Sequence, residues 1–140
     1  MIRSFWLFVA FGALAGCQTD TGSVATAELS FAASSAIAGD MVSRLAEQVG
    51  PGTTVIVLKP DQSVDGRSLA DALKAWGYAV ATNQKTDDTK VHIELVYTID
   101  RFEGQTLARL STGKVELTRA YNTNEAGATP FSPLSIMQRS

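Results

Sequence analysis

One cysteine, one histidine and four prolines are all that this chain of 140 residues contains of those types, and each scarcity closes off some chemistry. A single thiol cannot form an internal disulfide, so in an oxidising compartment the fold has to rest on packing alone. A lone imidazole cannot build a metal site without other strong ligands. His92 falls beside Glu94 on the polar face of an alternating run, with no serine or cysteine announced as a nucleophile for it to activate. Charged residues make up only 19% of the chain and the formal net charge is -2. No basic stripe is present to neutralise phosphates, which excludes nucleic-acid binding as the main activity. No apolar run approaches the roughly 20 residues that a membrane-spanning helix needs.

What is present begins with "MIRSFWLFVAFGALAG", in which Arg3 precedes an apolar run from Phe5 to about Ala15 and small residues follow. A basic start, a short apolar stretch and a small-residue end form the layout of a secretory signal, and Gln18-Thr19-Asp20 stops the run. Leu14-Ala15-Gly16-Cys17 resembles the bacterial lipobox, in which an aliphatic residue and two small ones precede a cysteine that is acylated and becomes the first mature residue. The expectation is cleavage between Gly16 and Cys17, with Cys17 as the lipid attachment point. The bland alternative is a buried small hydrophobe, the common fate of a free cysteine.

The signal peptide is expected to occupy residues 1–16, a flexible tether 17–33, an α+β domain 34–121 and an irregular tail 122–140. The tether residues are small, polar and without period, and about sixteen of them would span roughly 20–25 Å root-mean-square. Ile37, Met41, Val42, Leu45 and Val49 share one helical face, with Ser34 or Ser35 as cap and Gly50-Pro51-Gly52 as stop. A β-branched strand over 53–59, a helix from about Gly66 to Trp76 closed by Gly77, and a strand over 78–82 make a strand-helix-strand unit. In "VHIELVYTID" the odd positions from Val91 to Ile99 are apolar and alternate with His92, Glu94 and Thr98, which reads as one long strand with one buried face. Turns at Glu103-Gly104 and Thr112-Gly113 then divide the chain into strands near 106–111 and 115–121, an antiparallel meander. The fold class expected is α+β: two helices packed on a small mixed sheet that ends in the meander.

Four further motifs have plain readings. "DQSVDG", from Asp61 to Gly66, imitates the start of a calcium loop, but its twelfth position is Ala72 instead of glutamate, so Asp65 or Ser63 is expected to cap the second helix. Gly50-Pro51-Gly52 lacks the lysine and hydroxyl of a phosphate loop. Asp87-Asp88 is solvated charge, and Trp76-Gly77-Tyr78 is a helix end with a core anchor. No nucleophile and base are paired anywhere, so neither an enzyme, a small-molecule substrate nor a cofactor other than the covalent lipid on Cys17 is expected. In the proline-containing tail, Phe131, Leu134, Ile136 and Met137 either fold back over a sheet edge or dock into a partner, the two uses an apolar extended segment has.

The lipobox, followed by "AGDMVSRLAEQVGPGTTVIVL" and "LADALKAWGYAV", resembles the TrbH family of conjugal-transfer lipoproteins of bacterial type IV secretion systems, over roughly residues 12–82. The resemblance implies a component of the mating-pair apparatus, similar in role to the small lipoprotein that anchors the outer-membrane ring of VirB-type machines. The implied partners are the membrane, through the acyl chains, and the ring proteins. The implied location is the outer membrane with the domain facing the periplasm, and Gln18 after the cysteine agrees with that sorting. Only Cys17 carries over a role. The alternative is a periplasmic binding or regulatory lipoprotein that touches cell-wall enzymes or a secretin-like channel.

Overall fold

Ser30 opens the first helix: its Oγ accepts from the Ala33 N–H at 3.0 Å, satisfying one of the amides that a first turn leaves free. The computed structural model describes residues 28–52, 54–82 and 91–139. Helix α1 spans Phe31–Gln48, and Ala33, Ile37, Met41 and Leu45 recur along it at four-residue spacing as a buried stripe flanked by Ala38 and Val42. It begins about one turn before the expected cap. Ser34 and Ser35, the two residues expected as that cap, both lie inside the helix; Ser34 is buried, and its Oγ donates to Asp65 Oδ1 of the second helix at 2.6 Å. The stretch expected as tether up to residue 33 is therefore ordered from Leu29 onward, where the side chain enters the core. Alanines at 32, 33 and 36 hide the apolar period while favouring the helix.

The strand-helix-strand unit forms as the sequence suggests. Strand β1 (Thr54–Val57), helix α2 (Val64–Ala75) and strand β2 (Ala79–Ala81) follow in order, and β1 pairs parallel with β2. Ser63 caps α2, its Oγ accepting from Gly66 N–H at 3.1 Å. At the other end Gly77 takes φ +94, while its N–H reaches Lys74 O and that of Tyr78 reaches Leu73 O at 3.0 Å each, a Schellman closure.

The long alternating run is divided. Its first part, β3 (Val91–Glu94), pairs parallel with β1, while its second part, β4 (Val96–Phe102), pairs antiparallel with β5 (Gln105–Ser111). Leu95 lies between them and donates its N–H to Val57 O at 3.0 Å, so the backbone stays extended while the neighbouring strand changes. Strand β6 (Val115–Asn124) completes the meander.

The tail expected to be irregular is not. After β6, strands β7 (Gly127–Pro130) and β8 (Ser135–Gln138) both pair antiparallel with β6, one after the other along its length. Between them Phe131 and Ser132 both direct N–H groups to Ala120 O, at 2.8 and 3.4 Å. The prolines that argued against regular structure sit where they do least harm: Pro130 ends β7 and Pro133 lies in the interruption, on an edge where a missing N–H breaks no central ladder.

Helix α1 packs against α2, β5, β6 and β7. Ile37, Met41 and Leu45 meet Ala108, Leu110, Leu117 and Tyr121 of the sheet in one core, joined by Ile56, Leu69 and Leu73 of the parallel unit. Each large apolar side chain fully buried there contributes roughly 1.5–3 kcal/mol. Among the described residues, no helix covers the other face of the antiparallel sheet.

Candidate interaction site

Arg119 on β6 fastens the tail to the first helix. Its Nη1 donates to Asp40 Oδ2 of α1 at 3.0 Å and its Nε donates to Ser132 O at 3.0 Å. Tyr121 OH donates to the same Asp40 oxygen at 2.6 Å, and Ser132 Oγ accepts from Ala120 N–H at 2.9 Å. Helix, central strand and the β7–β8 connection thus share one polar cluster. Asp40 and Arg119 are both partly shielded from solvent, with side chains 24% and 16% exposed, so the pair is worth more than a surface ion pair. Burial, then the hydrogen bond to the Asp40 carboxylate, push the Tyr121 phenol far above its ordinary range. Tyr97, close by, is also raised by burial, with Asp65 adding to the effect.

The four tail residues singled out from the sequence part company on this scaffold. Leu134 packs against the core. Phe131, Ile136 and Met137 remain 59%, 45% and 56% exposed. Register places Ile136 beside Leu117 and Met137 beside Glu116, so the two β8 side chains face opposite sides of the sheet. The tail folds back over the sheet edge, as one of the two readings had it, and still presents apolar surface. Glu116 is flanked by Arg109 at 3.1 Å and by Arg139. No signal in the sequence pointed to Asp40, Arg119, Tyr121 and Ser132, because their partners are distant in the chain.

The remaining motifs take bland places. His92 and Glu94 are exposed on β3. Asp61 Oδ1 accepts from Ser63 N–H at 2.8 Å, so the calcium-like loop is a capping turn. Among the described residues no three histidine, cysteine or acidic side chains converge on a common point. No helix among them is long and apolar enough to cross a membrane. Gly16 and Cys17 lie outside the described residues, as does Asp87-Asp88.

Comparison with known proteins decides the family. The profile described as "Conjugal transfer protein TrbH" matches residues 17–140. The chain belongs to the TrbH family. A relative from Sinorhizobium fredii (strain NBRC 101917 / NGR234), named "Probable conjugal transfer protein TrbH", is 48% identical over 141 residues, covering 94% of this chain and 95% of its own. No solved structure matches the chain. The TrbH match takes in α1, both sheets and the tail alike, so β7 and β8 belong to the family's matched region and not to an appended extension. A TrbH protein has its place in conjugal transfer, and with it in the transfer machinery of type IV secretion.

Proposed function

We propose that this chain is a non-catalytic lipoprotein that serves as a structural component of the conjugative type IV secretion apparatus, held in the outer membrane by acyl groups on Cys17. The observation that carries the reading is the coincidence of two independent starts. The family match begins at residue 17, and the lipobox Leu14-Ala15-Gly16-Cys17 puts the mature first residue at the same place. Each buried methylene of an acyl chain contributes about 0.8 kcal/mol, and two chains already suffice for stable attachment. The folded domain then supplies surface: an antiparallel face that no described helix covers, an edge made by β7 and β8, and the exposed Phe131, Ile136 and Met137. These suit contact with the ring proteins of the apparatus better than they suit chemistry.

Two experiments in the protein's own host test this. Cys17→Ser should leave export intact while abolishing incorporation of labelled palmitate and moving the protein from the membrane to the soluble fraction. Label retained on the variant would refute lipidation at Cys17. Deletion of the gene should reduce plasmid transfer, with restoration by the wild-type chain. Undiminished transfer in the deletion strain would end the structural reading.

A further inference from the structure

Among the described residues, the lane beside β4 is empty. Strand β1 accompanies β3 only as far as Val57, whose carbonyl accepts from Leu95 N–H. The chain then leaves through Leu58, Lys59 and Pro60 toward α2, while β4 runs on for seven residues. Which edge of β4 is left open follows from its hairpin. Glu103 and Gly104 take φ +50 and +78, the two positive values of a type I′ turn, which makes Phe102 and Gln105 the hydrogen-bonded closing pair. The even-numbered residues of β4 therefore direct their backbone groups to β5. Tyr97, Ile99 and Arg101 direct theirs to the opposite edge, the one on which Leu95 meets β1. Among the described residues nothing pairs with that edge beyond Leu95.

A cavity of about 330 Å³ adjoins the lane, walled by Leu58, Leu69, Ala70, Leu95, Val96 and Tyr97. Lys59 and Arg67 line it as well, both exposed, against one carboxylate, Asp61, which is already engaged by Ser63 N–H. The unpaired backbone groups repeat every second residue, a spacing of roughly 6.6–6.8 Å that another extended backbone matches and a compact small molecule does not. A second copy of this chain is a poor occupant. Its own outer edge is made of two four-residue strands, β7 and β8, interrupted between Pro130 and Ser135, and cannot supply one continuous strand to match the seven residues of β4.

We propose that the empty lane receives an extended, acidic segment of a partner protein as an added strand, with an aliphatic side chain in the cavity and a carboxylate at Lys59 and Arg67. The proposal rests on the reading of the chain as a component of an assembly. It names a place for a partner distinct from the tail, on the other edge of the sheet. Strand addition of this kind draws affinity from backbone hydrogen bonds and specificity from the pocket beside them.

Arg101→Pro tests it, because the lost N–H faces the lane and the ladder to β5 stays whole, whereas Asp100→Pro removes a ladder bond and serves as the unfolding control. Arg101→Pro should keep the thermal midpoint close to that of the wild type and lower plasmid transfer by at least about ten-fold, the effect of losing roughly 1.4 kcal/mol of binding. The surface variant Lys59→Glu/Arg67→Glu, which leaves the backbone untouched, should do the same and keeps the test decisive should Arg101→Pro unfold. Amide exchange of the wild-type Tyr97, Ile99 and Arg101 should be fast in the purified lipoprotein and slowed about a hundred-fold in detergent-solubilised envelope assemblies of the host. Folded variants that transfer normally, or equal exchange in both states, would overturn the proposal. So would concentration-dependent protection in the purified protein, which would assign the lane to a second copy. Transfer lost on gene deletion but normal in these variants would sink the added strand alone, while transfer unaffected by deletion would sink the reading beneath it.

Discussion

A Cβ at position 66 would lie 2.4 Å from Asp61 Cγ and 2.6 Å from Asp61 Cβ. In an exposed helix interior, glycine to alanine normally stabilises by about 0.8–1.0 kcal/mol. Here the sign should reverse: Gly66→Ala is expected to destabilise the fold by about 1–3 kcal/mol through overpacking, and removal of the whole opposing side chain, Cβ included, in Asp61→Gly/Gly66→Ala should recover most of it. Urea unfolding of the four proteins in that cycle measures both, and additive losses would contradict the clash. The loop's resemblance to a calcium site was legible in the sequence, and so was its failure at Ala72, since both depend on neighbours in the chain. The cluster of Asp40, Arg119 and Tyr121 was not legible, because its members are separated by 79 and 81 positions and no local pattern marks either partner. Tyr121→Phe should cost about 1.5–3 kcal/mol, the range for a hydrogen bond to a charged group, by the same measurement.

Among the elements, those whose period is carried by large apolar residues could be read and those carried by small residues could not. Leu69 and Leu73 announced α2, but the first turn of α1 is an exposed Phe31 followed by alanines and Ser34, so its start was placed one turn late. Ser30 is therefore a cap found only in three dimensions, and its Oγ also donates to Asn124 O at 3.1 Å. Ser30→Ala should lower stability by about 0.5–2 kcal/mol, read as a fall in urea midpoint with an unchanged slope, and an unchanged midpoint would show that the cap contributes nothing. The break at Leu95 was invisible for another reason. Both halves of the run alternate with the same period, and a change of neighbouring strand leaves no trace in side-chain pattern. Strands β7 and β8 were missed because two prolines within four residues read as irregular chain, although an edge tolerates what a central strand does not.

For the molecule as a whole, the three tyrosines act together. Burial raises the phenol of Tyr78, Tyr97 and Tyr121 above the ordinary value near 10. The unfolded chain would ionise near pH 10 while the folded one keeps its protons, so stabilisation from this source is complete below that pH and is lost as pH rises past it. The thermal midpoint should hold up to about pH 10 and then fall, with phenolate absorbance appearing together with the loss of near-ultraviolet circular dichroism. Stepwise ionisation in a still-folded protein would show that these tyrosines are accessible. The division into helices, a parallel unit and a meander was readable at this scale; how the first helix meets the last strands was not. That meeting has a temporal consequence. Ser30 bonds to Asn124 across 94 positions, and the face of α1 lies on β6 and β7. A nascent chain emerging from its N-terminus can form α1 early and set it against α2, but β6 and β7, which cover the rest of its buried face, are not complete until residues past 120 have been synthesised. Closure of so many distant contacts is slow, so the growing polypeptide carries part of the face of Ile37, Met41 and Leu45 uncovered for most of its synthesis, a natural client for chaperones that hold chains unfolded.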